Sequence, residues 1–283
     1  MSKAHTSKGA LYAGAAVLLA SAAGCSSVAA KAAGGIQGGG SPGPAAAAAI
    51  QAAMAKASAD KTVRITGSIT SPAGGGRLDG QERFGDPAEM SMHLNVAGQD
   101  ITELLVGGEL YMKDQMLSAE LGGKPWIKLS LAQTGSAGSA VTRMLASGEG
   151  TDPARQLEPL LASGDLAKVG TETVDGVRAD HYHGTLDPAT ALDSSQASKN
   201  LAPAQLAQLK SLMKAGGVTG ESVDVWVGAD GLPVRETVST TTAAGLVKTD
   251  LHLAHWGEPV SFAAPPADQV NDMSSMMGAL PTG

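Results

Sequence analysis

The chain has 283 residues, one cysteine and a formal net charge of -7, with 43% hydrophobic, 17% charged and only 3% aromatic residues. An acidic balance excludes the usual basic footprint for nucleic acid and gives no attraction to anionic lipid head groups. One cysteine excludes an intrachain disulfide, and so few aromatics leave the core to Leu, Val, Ile, Ala and Met.

The first 24 residues read as a secretory signal peptide. Lys3 and Lys8 form a positive start, an apolar run spans Leu11 to Ala20, and Ser21, Ala22, Ala23 and Gly24 are small. Cys25 directly after Ala-Gly resembles a lipobox, whose thiol is diacylated and becomes the mature N-terminus. Ala22 stands where that motif usually has Leu. Cys25 is therefore the expected lipidation site, against the plainer reading of a secreted protein with a stray thiol. Cleavage removes Lys3 and Lys8 and no acid, so the charge goes from -7 to -9. The tie to the membrane is then the acyl group and not surface charge. Residues 25–44 are rich in Gly, Ser, Ala and Pro and are expected to be a flexible tether.

From Ala45 to Asp60 the composition favours helix, with Pro44 at the start and Ile50, Met54 and Ala57 at helical spacing. The period then changes to two. Val63, Ile65, Gly67 and Ile69 alternate with polar residues, as do Met90, Met92, Leu94 and Val96. Residues 102–112 read as one long run, with Thr102, Leu104, Val106, Gly108, Leu110 and Met112 on one face. Ile127, Leu129 and Leu131 follow. Stretches at 72–76, 85–87, 97–100 and 122–125 read as breaks. Asp152 and Pro153 open a second helix that carries Leu157, Leu160 and Leu161 and stops at Gly164. Strands are expected at 168–173 and 177–186 around an Asp175-Gly176 turn. A further helix covers 202–215, with Gly216-Gly217 as its stop. Strands at 221–227, 232–240 and 246–256 complete the pattern. From Pro265 onward the sequence looks weakly ordered. The folded domain is expected over 45–272, with a tail at 273–283.

Strands adjacent in sequence mostly pair in space. The fold class expected is α+β: a large curved antiparallel sheet, a half-barrel, with a few helices covering its concave face.

Several segments carry a resemblance. Thr173-Val174-Asp175-Gly176-Val177 leads into His181-Tyr182-His183-Gly184-Thr185-Leu186. Val223-Asp224-Val225-Trp226-Val227 precedes Gly231-Leu232-Pro233-Val234-Arg235, and Leu251 to Val260 is followed by Pro265-Pro266. A weaker element is Val106 to Tyr111 with Trp126-Ile127-Lys128. Together they resemble the actinobacterial cell-envelope lipoproteins of the LppX and LprG type and, more distantly, LolA-type carriers. The resemblance implies a half-barrel closed by helices and an apolar cavity that holds lipids or glycolipids. It also implies an anchored position on the extracytoplasmic face of the cell membrane.

No catalytic constellation competes with that reading. Ser211-Leu212-Met213-Lys214 matches Ser-x-x-Lys, but its companion motifs are missing, and a solvated helix face explains it. His181 and His183 share a strand face without an identifiable third ligand, so a polar outer face with Tyr182 turned inward is the simpler reading. His252 and His255 are a weaker pair. No enzyme activity and no cofactor or metal are expected. The methionines are either core filler or cavity lining. On the cavity reading, Met92, Leu104, Val106, Leu110 and Ile127 line it. The partners expected are a lipid or glycolipid ligand and the membrane, with no nucleic acid. The alternative is an envelope interaction or sensor lipoprotein that recognises a protein partner.

Overall fold

The computed structural model describes residues 43–85, 87–96, 98–114, 123–130, 160–161, 165–187, 192 and 203–273. The signal peptide, Cys25, most of the tether and of the expected helix at 153–163, and nearly all of the tail lie outside the described residues.

Helix α1 spans Pro44–Asp60, and α2 spans Pro203–Ala215. The strands are β1 Thr62–Ser71, β2 Gly74–Arg83, β3 Glu89–Val96, β4 Gln99–Val106, β5 Glu109–Asp114 and β6 Trp126–Ser130. They continue with β7 Ala167–Val174, β8 Val177–Leu186, β9 Gly220–Gly228, β10 Pro233–Thr242, β11 Gly245–Ala254 and β12 Val270–Asp272. All belong to one 12-stranded sheet, in the order β12-β6-β5-β4-β3-β2-β1-β11-β10-β9-β8-β7. Among the described residues β12 and β7 do not pair, so the sheet is open. Every pairing is antiparallel except β12 with β6. This is the expected α+β half-barrel.

The turns follow their chemistry. Asp175 and Gly176 have φ of 49° and 82°, and Gly107 and Gly108 have 61° and 75°. Two successive positive φ values give the twist that a two-residue hairpin needs. Helix α1 ends where Lys61 turns left-handed and its amide donates to the Ala57 carbonyl. Gly217 closes α2, with the Val218 amide donating to the Met213 carbonyl.

Three expectations need correction. The run at 102–112 is a hairpin: Gly107-Gly108 turns the chain, and Val106 pairs with Glu109. Across that turn even-numbered residues oppose odd-numbered ones, as Leu104 opposes Tyr111, so the single-face grouping fails. Strand β2 lies where a break and an unassigned stretch were read. Its glycines conceal it, yet they suit its place. A Cβ on Gly80 would fall 2.3 Å from the Ser91 carbonyl oxygen and 2.8 Å from the Met92 sulfur. The segment after Pro265 is ordered in part, with a 3-10 turn at Ala267–Gln269 and β12 against β6.

Register sorts every strand onto two faces, because directly opposed residues point the same way. One face carries Val223, Val225, Val227, Tyr182 and Leu186, buried against Ala46, Ile50, Ala53 and Met54 of α1. The alanines let the helix lie close to the sheet. Ile50, Val63, Leu94, Leu105 and Val225 are almost fully buried. Each such side chain contributes about 1.5–3 kcal/mol relative to exposure. The other face is largely polar over β7–β11.

Candidate ligand-binding face

The helix-side face continues past α1 along β11, β1, β2, β3, β4, β5 and β6. Leu251, Ile65, Leu78, Met92, Leu94, Ile101, Leu105, Leu110 and Met112 join one apolar cluster there. Gly67, Gly76 and Gly80 punctuate it on the same face, since Gly67 opposes Leu78 and Gly80 opposes Ile65 and Met92. Neighbouring strands close in at these points: a Cβ would fall 2.4 Å from the Asp250 carbonyl oxygen at Gly67 and 2.6 Å from the Asn95 carbonyl oxygen at Gly76.

Of the five expected lining residues, Met92, Leu110 and Ile127 stand on this face. Met92 and Ile127 are buried and Leu110 is half-buried. Leu104 and Val106 stand on the opposite face, as the hairpin at Gly107-Gly108 requires. There Leu104 opposes Tyr111, and both are buried.

The same apolar face also holds carboxyls that sequence reasoning missed, four of them glutamates. Glu82 lies between Val63 and Met90, and Glu103 between Met92 and Met112. Glu221 lies between Leu186 and Thr240, and Glu236 between Val225 and Leu251. Loss of hydration disfavours the charged form. Burial pushes each of Glu82, Glu103 and Glu221 up to about 7, and burial together with the Glu221 charge does the same for Glu236. The Thr240 hydroxyl donates to Glu221 at 3.3 Å. Oε2 of Glu103 is buried and has no hydrogen-bond partner among the described residues. The signal for Glu103 was present, because a Gly-Gly turn at 107–108 assigns Ile101, Glu103 and Leu105 to one face.

The opposite face of β7–β11 carries an ion and ring network. His181 stacks on Trp226 at 4.2 Å between centroids and 16° between planes, and Arg235 lies 4.7 Å from the Trp226 ring. His181 places Nδ1 2.8 Å from Glu172 and Nε2 2.8 Å from Asp224, and His183 Nδ1 lies 2.9 Å from the same Asp224 oxygen. Trp226 Nε1 donates to Glu172 at 3.2 Å, and Arg235 donates twice to Asp250, at 2.8 and 2.5 Å. Burial alone would lower the His181 pKa, but Asp224 and Glu172 hold it above its ordinary value. The Asp224 hydrogen bond raises His183. Burial opposes ionisation of Asp224, yet the two imidazoles hold it well below the carboxylate range. Tyr182 points inward as expected and is buried. Among the described residues no group of three or more His, Cys, Asp or Glu is arranged to hold a metal ion. The network anchors ring to strand. Ser211 and Lys214 are exposed on α2. His252 pairs with Asp175, and His255 lies 2.9 Å from Glu258. Among the described residues no helix is long and apolar enough to cross a membrane.

No family model matches the sequence. An uncharacterized 31.2 kDa protein from the rplA-rplJ intergenic region of Streptomyces griseus is 35% identical over 186 residues, covering 60% of this chain and 59% of that protein. A Streptomyces coelicolor protein named "putative lipoprotein" is 24% identical over 220 residues, covering 76% of this chain and 62% of its own length. The chain thus spans about three fifths of the length of these curated relatives. Among solved structures, LprF from Mycobacterium bovis matches with a TM-score of 0.50 and 18% identity, over 80% of this chain and 99% of LprF. The fold is that of LprF.

Proposed function

We propose that the chain is a lipoprotein, acylated at Cys25 and held on the extracytoplasmic face of the cell membrane. There its domain at 45–272 takes up a lipid or glycolipid against the helix-side face and carries it without a reaction of its own. The observation that carries this reading is the apolar cluster that runs from Leu251 to Met112 on the helix-side face, with Ile127 opposite Met112, on an open sheet of the LprF fold. The lipoprotein name of the Streptomyces coelicolor relative supports the anchor. The lining residues proposed are Met92, Leu110 and Ile127. Methionine suits such a surface because its thioether adapts to varied acyl chains. Burial gains about 0.8 kcal/mol per CH2, so one 16-carbon chain gains on the order of 10 kcal/mol. The tether at 25–44 would let the face reach the bilayer.

Mass spectrometry of organic extracts from the purified protein tests this. A lipid in near-stoichiometric amount is expected. A folded protein that yields none removes the carrier reading and leaves an envelope interaction or sensor lipoprotein.

A further inference from the structure

Glu103 is 3% exposed, and among the described residues its Oε2 has no hydrogen-bond partner. A buried polar atom left unpaired is costly, so each one in a folded protein calls for an occupant of its free valence. The described residues around it offer none. Ile101 and Leu105 flank it along β4, and Met92 and Met112 oppose it across β3 and β5. The Met92 sulfur lies over Gly80, only 2.8 Å from where a Cβ would stand. Gly80 is on the far side of β3 from Glu103, so the thioether leans away from the carboxyl.

We infer that Glu103 reads a free hydroxyl on a neutral lipid, such as the 3-hydroxyl of a diacylglycerol, while the acyl chains lie on the apolar face around it. This rests on the lipid-binding reading above and deepens it. A pure hydrocarbon would bury the oxygen without satisfying it. An ester carbonyl only accepts and could pair with the protonated acid alone. Burial holds the Glu103 carboxyl at about 7, so both forms exist near neutrality. A hydroxyl donates and accepts, and it satisfies both.

The test is competition for binding of a fluorescent lipid to the purified protein. The competitors are 1,2-dioleoylglycerol and its 3-O-acetyl derivative, which differ only at the hydroxyl. The wild type should prefer the free alcohol about tenfold, within the range for an unmet hydrogen bond. Glu103→Gln keeps a donor and an acceptor and should keep the preference. Glu103→Leu should bring the ratio to about one, with melting curves confirming that both variants fold. Equal affinity of the wild type for the two lipids overturns the inference while leaving the carrier reading intact. An undiminished preference in Glu103→Leu does the same. Wild-type protein that binds neither lipid overturns both.

Discussion

Replacing Glu82 by Gln isolates the energetic consequence of a carboxyl on an apolar sheet face. Glu82 sits between Val63 and Met90, and its upward shift owes nothing to a charged neighbour. The folded-state pKa is about 7 against an ordinary 4.5. Between those values the folded state holds a proton that the unfolded chain has released. The stability this gives is therefore fully present below about pH 4.5 and is lost as pH rises through about 7. At about 1.4 kcal/mol per unit, the whole loss is about 3 kcal/mol. Glutamine has the shape of the protonated acid and does not titrate. Thermal melts of wild type and Glu82→Gln, followed by circular dichroism at pH 5, 6, 7 and 8, give the difference curve. At pH 5 the two should differ little. At pH 8 the variant should be more stable by about 3 kcal/mol, or about 6–12 °C for a domain of this size. Subtracting the curves cancels the histidines, which stabilise in the same direction. Parallel curves across the range would refute the claim that the Glu82 carboxyl pays for its burial only when ionised.

Three further outcomes follow from the geometry. Met92→Trp should lower lipid uptake while Val106→Trp leaves it unchanged, because the two residues stand on opposite faces; equal effects in an extraction assay would contradict the register. Asp224→Asn should lower the pKa of both His181 and His183 by NMR titration, since both imidazoles point at that one carboxylate. The stability those histidines give is complete below about 6.5 and disappears as pH rises through their raised values, so the variant should lose most between pH 4 and 6 and least at pH 8. Cys25→Ser should shift the protein from the membrane fraction to the medium or leave it unprocessed, and unchanged fractionation would remove the acyl anchor.

Much of the fold was legible because alternation and turn chemistry are local. Ile50, Met54 and Ala57 marked the buried stripe of α1, and Asp175-Gly176 marked its hairpin, from neighbours a few residues away. Strand β2 escaped because Gly74, Gly75, Gly76 and Gly80 carry turn statistics, whereas the fit of Gly76 against Asn95 and of Gly80 against Ser91 and Met92 is made with another strand. Strand β12 escaped because three residues hold no period, and only β6 gives them a partner. The candidate site was half legible. Alternation found Met92, Leu110 and Ile127, but a missed two-residue turn inverted the parity of Leu104 and Val106. The glutamates on that face escaped for a different reason: hydropathy assigns Glu to water, and apart from Glu103, which alternation places with Ile101 and Leu105, only the strand pairing shows otherwise.

The pairing of β1 with β11 has a consequence for how the chain assembles. Strands β1 to β6 form one meander and β7 to β11 another, each from neighbours in sequence. The seam between them joins Arg64 to Ala254 and Ile65 to Leu253, about 190 residues apart. Closing a loop of that length costs on the order of 5 kcal/mol in chain entropy, far more than any hairpin in either half. Local meanders form readily and non-local pairings form late. Until the seam closes, the molecule is two short sheets with bare edges at β1 and β11, and the continuous face does not exist.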